Sequence, residues 1–272
     1  MVQRAIAYKV ASAALIAAMY GLIKTLSAAY PVGEIVFARS FFALAPILWQ
    51  LHRLQRWSAL RTRRPAAHAL RSIFGLASLF LGFSAVSMLP LSTATALTYT
   101  APLFVALFAM VCLREPVSLR RWTSLLLGFG GVVLVVDPDL SGGLPLGALL
   151  ALFAALSGAA ALVSIRSLAS SEDSTVIAFY FSVTGAVIAA VSMVWAFAMP
   201  SPRDLLILVL VGLLGGVAQL LLTYAYHQAP ASIIAPWEYA TLIFASLIGY
   251  VVWGMPPARP SCSASASSSA PT

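Results

Sequence analysis

The sequence predicts an all-α polytopic membrane protein made of two inverted five-helix repeats, the second truncated, with about nine transmembrane helices. Of the 272 residues, 61% are hydrophobic and only 9% are charged, whereas a soluble domain carries about 25% charged residues. Many apolar runs approach the length of about 20 residues that a helix needs to cross a bilayer. A third observation, an internal duplication, predicts the two repeats.

The duplication relates residues 90–116 to residues 230–256 at a constant offset of 140 positions. Both segments begin and end with proline, and the same offset extends backward into the preceding segments. Two apolar helices can agree by chance, but an offset held across two successive segments predicts a repeat. The matched pairs include Gly75/Gly215, Leu81/Leu221, Ala85/Ala225, Ser92/Ser232, Tyr99/Tyr239, Phe104/Phe244, Leu107/Leu247 and Val111/Val251.

The first repeat is predicted over residues 5–137, and its first three helices are apolar runs bounded by polar or basic segments. Helix one is expected at about 5–27, with Lys9 and Lys24 near opposite ends, where long stems carry ammonium groups to the interface. Helix two extends from Pro31 to about residue 52, before a segment with five arginines. Helix three is expected at about 67–89.

Helices four and five complete this repeat. Helix four is expected at about 91–113 and helix five at about 121–136, with the basic segment REPVSLRR between them. The sequence DPDLSGG, which is acidic and forms turns, ends helix five. These elements place arginine-rich segments after helices two and four.

The second repeat is predicted over residues 145–254 and holds helices six to nine. SSEDS and MPSPRD form the loops on either side of helix seven. Residues 255–272 are rich in Pro, Ser and Ala and contain no apolar run, so a disordered tail is expected there. The four helices are expected at about 145–166, 174–199, 204–227 and 231–253.

The arginines predict the orientation. A cytoplasmic N-terminus places the loops after helices two, four and six inside, and these loops hold most of the positive charge. The sequence therefore predicts a multi-pass protein of the bacterial inner membrane with its N-terminus in the cytoplasm. Because five is an odd number, the second repeat enters from the opposite side, and inverted repeats are a construction that many secondary transporters share.

Several other functions are disfavoured. The net charge of +8 comes from arginines between apolar runs, which is a topology signal and not a nucleic-acid surface. Cys112 and Cys262 indicate neither a disulfide framework nor a metal site. No GxxxxGK[ST] sequence predicts an ATP site, and no cofactor is expected. An intramembrane enzyme would need clustered acids or a Ser/His or His/Cys constellation, which the scattered histidines and few acids do not offer.

Charged residues inside apolar runs are the first candidates for function, because ionised groups there are costly and usually face a cavity or a partner. Glu34 is expected near the outer mouth of helix two, and Arg39 deeper in the same helix. Glu238 should reach a similar depth from the other side. Two interpretations stay open: Arg39 and Glu238 form a structural pair, or they hold a charged group of a substrate. Arg71 is expected to reach the inner interface.

Polar side chains of the duplicated segments complete the predicted substrate site. Pro102 and Pro236 each remove a helical hydrogen bond, and such breaks are tolerated at membrane depth where a cavity satisfies the freed carbonyl. A simple kink is the alternative for either proline. The candidate substrate-binding residues are Arg39, Thr98, Tyr99, Gln219, Glu238 and Tyr239, with Pro102 and Pro236 as helix breaks.

The chain resembles the drug/metabolite transporter superfamily, specifically the EamA-type proteins built from two five-helix repeats. The resemblance covers about residues 5–254 and is carried by GEIVFARSFFA, ALTYTAPLFVALFA, LREPVSLRRW, GFGGVVLVV and APWEYATLIFASLIGY. It implies a ten-helix bundle with a central substrate cavity and alternating access. The EYA run in helix nine is similar to that of bacterial members that take up riboflavin or S-adenosylmethionine.

The sequence departs from this family in one respect. Family members usually carry a glutamate where Met255 stands, followed by a tenth helix. Because the composition changes abruptly at the same place, we expect a truncation or a frame shift near Gly254.

The resulting expectation is a secondary transporter of a small organic metabolite, embedded in the lipid bilayer. A coupling proton or ion and a homodimer are left open as partners. The alternatives are a truncated remnant that does not transport and an intramembrane enzyme.

Overall fold

The computed structural model describes residues 2–27, 29–89, 97–136 and 146–253. Their regular secondary structure is helical, as predicted, and five of the helices are long and apolar enough to cross a membrane. The chain is a multi-pass membrane protein. The α-helices of more than one turn are α1 (Val2–Leu26), α2 (Val32–Arg53), α3 (Pro65–Met88), α4 (Ala101–Cys112), α5 (Leu119–Val136), α6 (Leu146–Leu168), α7 (Ser174–Ser192), α8 (Pro202–Gln228) and α9 (Ala240–Trp253).

Two predicted helices differ from the structure, one in its length and one in its continuity. Helix seven was expected to reach residue 199, but α7 ends at Ser192, and the apolar residues after it are exposed. Their hydropathy resembles that of a helix, but the backbone forms a turn at residues 193–195 and is irregular after it, so composition alone misplaces the boundary. Helix nine is broken into one α-helical turn (Ala231–Ile234), a 3₁₀ turn (Ala235–Tyr239) and α9.

The second part of the predicted helix four corresponds to α4, which begins at Ala101. It follows a turn at Tyr99 and Thr100 that interrupts the helix. The first part of that helix, at residues 90–96, lies outside the described residues, as does the predicted tail at 255–272. Pro102 lies in the first turn of α4, where its missing N–H is tolerated because the first helical donors have no partner within the helix.

The packing of the helices has an internal symmetry. The principal partners are α1 with α8, α3 with α6, α2 with α7 and with α8, α1 with α9, α4 with α6, α3 with α7, and α7 with α8. If each helix of the first half is exchanged with the helix five positions later, all of these pairs except α7–α8 map onto one another, and the equivalent of α7–α8, the pair α2–α3, is in much weaker contact. The duplication remains a prediction, and this symmetry supports it.

The two equivalent crossings, α1–α8 and α3–α6, are each joined by a hydrogen bond from a serine hydroxyl to a backbone carbonyl, with the donor and acceptor helices exchanged between the two. Ser12 on α1 donates a hydrogen bond of 2.8 Å to the carbonyl oxygen of Ala218 on α8. Ser78 on α3 donates one of 2.8 Å to the carbonyl oxygen of Ala154 on α6. Small residues at such crossings let the helix backbones approach closely. The polar residues between these two crossings are thereby held in fixed positions.

Interhelical contacts distinguish the two ends of the bundle. At the arginine-rich end, Arg56 pairs with Asp173, and Arg166 pairs with Glu115 at 3.1 Å. At the opposite end, Ala198 donates its N–H to Glu34 at 3.1 Å. The loops after α2, α4 and α6 therefore lie at one end, which agrees with the expected arrangement of the basic segments.

Candidate functional site

The interior of the bundle contains an ion pair between Lys9 on α1 and Glu238 in the 3₁₀ turn. The side chain of Lys9 is fully buried and that of Glu238 is 24% exposed. The prediction that Lys9 reaches the interface was wrong, because its face of α1 is turned toward the broken helix and not toward lipid. Only Lys24, which is exposed, lies as predicted. A buried ammonium group needs a partner, and Glu238 supplies it.

Arg39 therefore does not share Glu238 as an ion-pair partner in this conformation. Its guanidinium carbon lies 5.3 Å from the ring centroid of Phe181 on α7. Its Nε has no hydrogen-bond partner within the described part of the chain. The sequence left two interpretations open. The first, a direct ion pair between Arg39 and Glu238, is not present in the structure, where Glu238 pairs with Lys9. The alternative, contact with a substrate, stays a prediction.

Arg39 and Gln219 line one cavity of about 70 Å³. Tyr20 on α1 also lines it, with 44% of its surface accessible. Apolar residues of α1, α3 and α8, including Leu79, form the rest of the wall. The cavity thus lies where helices of both halves meet. Gln219 is buried and donates to Thr223 Oγ1 at 3.2 Å.

Arg71 lies on the same aromatic ring as Arg39. Its guanidinium carbon is 4.1 Å from the ring centroid of Phe181, and the residue is only 3% exposed. The expectation that Arg71 reaches the interface was wrong, because its face of α3 packs toward α7. Its Nε and Nη1 have no hydrogen-bond partner among residues 2–27, 29–89, 97–136 and 146–253.

Two glycines make room for the two arginines. A Cβ atom at Gly75 would collide with the guanidinium of Arg71 and approach Cε2 of Phe181 to 2.7 Å. A Cβ atom at Gly215 would lie 3.3 Å from Cγ of Arg39. These glycines are a matched pair of the predicted duplication, so each half contributes one glycine that accommodates an arginine of the interior.

The interrupted helices meet beside this region. The rings of Tyr99 and Tyr239 lie 6.0 Å apart, centroid to centroid. The hydroxyl of Tyr239 is 3.4 Å from the carbonyl oxygen of Tyr99 and 3.3 Å from that of Leu125, so it can donate to either. Pro236 lies within the 3₁₀ turn. Thr98, in contrast, has an exposed side chain.

Shared helices and one shared ring connect the ion pair with the cavity. Lys9 and Tyr20 lie on α1, and Glu238 and Tyr239 lie in the same 3₁₀ turn. Arg39 and Arg71 lie against the ring of Phe181. We call this group the polar interior. It comprises Lys9, Tyr20, Arg39, Arg71, Tyr99, Gln219, Glu238 and Tyr239.

Sequence reasoning missed three members of the polar interior: Lys9, Tyr20 and Arg71. Lys9 and Arg71 each lie about two turns inside a helix, which is deeper than a side chain at the interface needs to be. Arg71 also precedes Gly75 by four residues, the spacing that places two residues on one helix face. Tyr20 gave no such signal, because aromatic residues near helix ends are common in membrane proteins.

A larger cavity of about 360 Å³ lies at the arginine-rich end. Its wall includes Glu115, which also pairs with Arg166, and Arg121, whose Nη1 donates to Ser232 Oγ at 2.9 Å. At the opposite end, Tyr30 donates to Asp204 at 2.8 Å, and this hydrogen bond raises the pKa of the Tyr30 phenol. Polar contacts thus link neighbouring helices at both ends.

Comparison with known proteins gives a consistent result. The model of the EamA-like transporter family matches residues 3–137 and again residues 145–263. A solved crystal structure with 20% sequence identity has a TM-score of 0.78 and covers 94% of this chain and 91% of its own. This likeness concerns the fold.

Relatives with names that state a function are transporters of small molecules. The pseudopaline exporter CntI of Pseudomonas aeruginosa is 30% identical over 241 residues, which are 88% of this chain and 84% of that protein. The riboflavin transporter of Rhizobium johnstonii is 30% identical over 86% of this chain and 77% of its own length. The S-adenosylmethionine uptake transporter of Rickettsia bellii is 27% identical over 81% and 75%.

Proposed function

The chain belongs to the EamA-like transporter family, and from this premise we propose that it is a secondary transporter that moves a small organic metabolite across the bacterial inner membrane by alternating access. The proposal places the N-terminus in the cytoplasm, because the arginine-rich end of the bundle then lies on the cytoplasmic side of the membrane. The names of the relatives support a small-molecule substrate: pseudopaline, riboflavin and S-adenosylmethionine.

The polar interior is the observation that carries the proposal. A bundle that only needed to be stable would not require ionised groups at its centre, because each is costly to bury. Here Lys9, Arg39 and Arg71 are held between helices of both halves, and Arg39 lines a cavity. Polar residues that face a cavity between two halves are the expected features of a solute site in this type of fold.

Each candidate residue has a proposed role. Arg39 and Gln219 contact the solute from the cavity wall. Glu238, Tyr239, Tyr99 and Thr98 belong to the interrupted helices and respond to its arrival. Pro102 and Pro236 keep these segments from forming continuous helices, so the segments can move without disrupting a long hydrogen-bonded helix.

Alternating access requires that each end of the bundle open in turn. The contacts Arg166–Glu115 and Arg121–Ser232 join helices at the arginine-rich end. Tyr30–Asp204 and Glu34–Ala198 do so at the opposite end. In our proposal, the contacts at one end break while those at the other remain, and the small cavity enlarges to admit the solute.

Flux of solutes in proteoliposomes tests this function. Vesicles loaded with a bacterial metabolite extract are diluted into buffer, and released solutes are identified by mass spectrometry against protein-free vesicles. Wild-type protein should release at least one metabolite selectively, and Arg39→Ala should reduce this release at least 10-fold. Arg63→Ala, which removes a charge from an exposed loop, is the matched control. Absence of release by wild-type protein, in either direction and with or without a proton gradient, would contradict the proposal.

A further inference from the structure

We propose that Arg39 and Arg71 together bind an oxyanion, so that the substrate is an organic anion that carries a carboxylate or a phosphate group. This inference rests on the proposed transport function and adds the chemical class of the solute. It assigns a binding role to Arg71, which the sequence analysis had placed at the interface.

The first step is the balance of charge in the polar interior. It holds three cations, Lys9, Arg39 and Arg71, and one anion, Glu238. The ion pair with Lys9 uses Glu238. Among the described residues, no ion pair with a carboxylate is formed by Arg39 or Arg71. The polar interior thus carries two cations without an anionic partner.

The second step concerns the nearest other acid. Glu34 is buried on α2, the helix of Arg39, but its Oε2 accepts from the Ala198 backbone N–H at the end of the bundle. It therefore does not neutralise the arginines. Burial of a charge without a partner is costly, and a cation–π contact with an aromatic ring offsets only part of this cost.

The third step is geometry. Both guanidinium groups lie against the ring of Phe181, with their carbons 5.3 Å (Arg39) and 4.1 Å (Arg71) from its centroid, so the two carbons are no more than about 9.4 Å apart. The repulsion between the two like charges is unfavourable in the absence of an anion and favours an anionic group that can lie between them. Guanidinium groups bind carboxylate and phosphate through paired hydrogen bonds. The Arg39 Nε and the Arg71 Nε and Nη1 have no described partner and are available as donors.

The fourth step is space. Gly75 and Gly215 lack the Cβ atoms that would collide with Arg71 and crowd Arg39. The cavity of about 70 Å³ beside Arg39 has room for a carboxylate-sized group together with water, since a water molecule takes up about 30 Å³ in the liquid. The remainder of a larger solute would extend past Tyr20 and Gln219 as the cavity opens.

The test is the thermal stabilisation of the purified full-length protein in detergent by simple anions. The probes are sodium phosphate and sodium succinate, compared with sodium chloride at equal ionic strength and with succinamide, which has the shape of succinate but no charge. At saturation, a binding anion should raise the unfolding midpoint by about 5 °C. An effect of phosphate alone assigns a phosphate group, and an effect of succinate alone assigns a carboxylate; either outcome, or both effects together, supports the inference.

Variants make this test specific. Arg71→Gln and Arg39→Gln should each remove most of the shift, whereas Arg63→Gln, with the same loss of charge at an exposed site, should retain it. Without anion, both interior variants should unfold at or above the wild-type temperature, because an unpaired buried charge has been removed. A lower midpoint without anion, or an equal shift in wild type and both variants, would overturn the inference, as would the absence of any anion effect.

The release assay separates this inference from the proposed function. If the vesicles release only neutral or cationic solutes, transport stands and the anion site is wrong. If anions stabilise the protein through Arg39 and Arg71 but nothing is released, the anion site stands and the transport proposal is wrong.

Discussion

The two interrupted helices occupy corresponding positions in the two halves but differ in charge. Each contains a tyrosine three residues from a proline: Tyr99 precedes its proline and Tyr239 follows its own. The rings of the two tyrosines lie near each other. At the position before each tyrosine, however, the first half has Thr98 and the second has Glu238. Only Glu238 has an ion-pair partner, Lys9. The similarity lies in the backbone and the difference lies in the charge.

The same contrast recurs between α3 and α8. At the offset of 140, Arg71 on α3 corresponds to Val211 on α8, and Leu79 corresponds to Gln219. Gly75 and Gly215, by contrast, are the same residue in both halves and have the same role, since each makes room for an arginine. Residues that set how closely helices pack are thus matched, whereas residues that supply charge or hydrogen bonds to the interior are not. A symmetric scaffold can in this way bind an asymmetric solute.

The largest expected effect comes from leaving one buried charge without its partner. Glu238→Gln leaves the ammonium group of Lys9 buried without a partner, which should cost about 3–5 kcal/mol of unfolding free energy. The double variant with Lys9→Met should recover most of this stability, because the charge and its partner are both absent. Thermal unfolding in detergent measures both. Equal instability of the single and double variants would contradict a stabilising role of the pair.

Transport measurements on the single variant Glu238→Gln and on the double variant with Lys9→Met distinguish a loss of stability from a loss of function. The double variant should be folded but should transport at a rate at least 10-fold below wild type, if Glu238 responds to the solute as proposed. For the stability measurement, the matched control is Thr98→Val, at the corresponding place in the first half. It should change the unfolding midpoint by less than the single Glu238 variant does.

Much of this fold follows directly from hydropathy. The bounds of α1, α2, α3 and α6 lie within a few residues of those predicted, because apolar runs between basic segments leave little choice of helix limits. The end of α7 could not be placed in the same way, since the apolar run continues after Ser192 while the helix does not.

The partners of charged residues were harder to predict than their presence. Arg39 and Glu238 were recognised as charges within apolar runs, whereas Arg71 was placed at the interface. The pair Lys9–Glu238 was missed, because the sequence does not specify how α1 is rotated about its axis, and that rotation decides between lipid and the broken helix as neighbour. The shared ring of Phe181 was missed for a similar reason, since no periodicity identifies a residue on α7 that contacts both α2 and α3.

A smaller effect is expected from the matched glycines. Gly75→Ala places a methyl group 2.7 Å from Cε2 of Phe181 and against Arg71, so the ring and the guanidinium must both shift. Overpacking of this kind typically costs about 1–3 kcal/mol. Gly215→Ala meets its nearest atom, Sδ of Met19, at 3.1 Å, and should cost less because a methionine side chain can adjust. Thermal unfolding of the two variants should rank them in this order, and the reverse order would contradict the described positions of the arginines.

The smallest effect concerns the two equivalent helix crossings, where the halves should behave alike. Ser12→Ala removes the hydrogen bond to Ala218, and Ser78→Ala removes the one to Ala154. Each loss should cost about 0.6 kcal/mol, the average for interhelical hydrogen bonds in a membrane protein. Because the crossings are distinct sites without shared partners, the double variant should show the sum of the two losses. If one substitution instead lowered the unfolding free energy several times more than the other, the two crossings would differ in energy despite their similar packing. The two halves would then differ in their packing energies as well as in their charges.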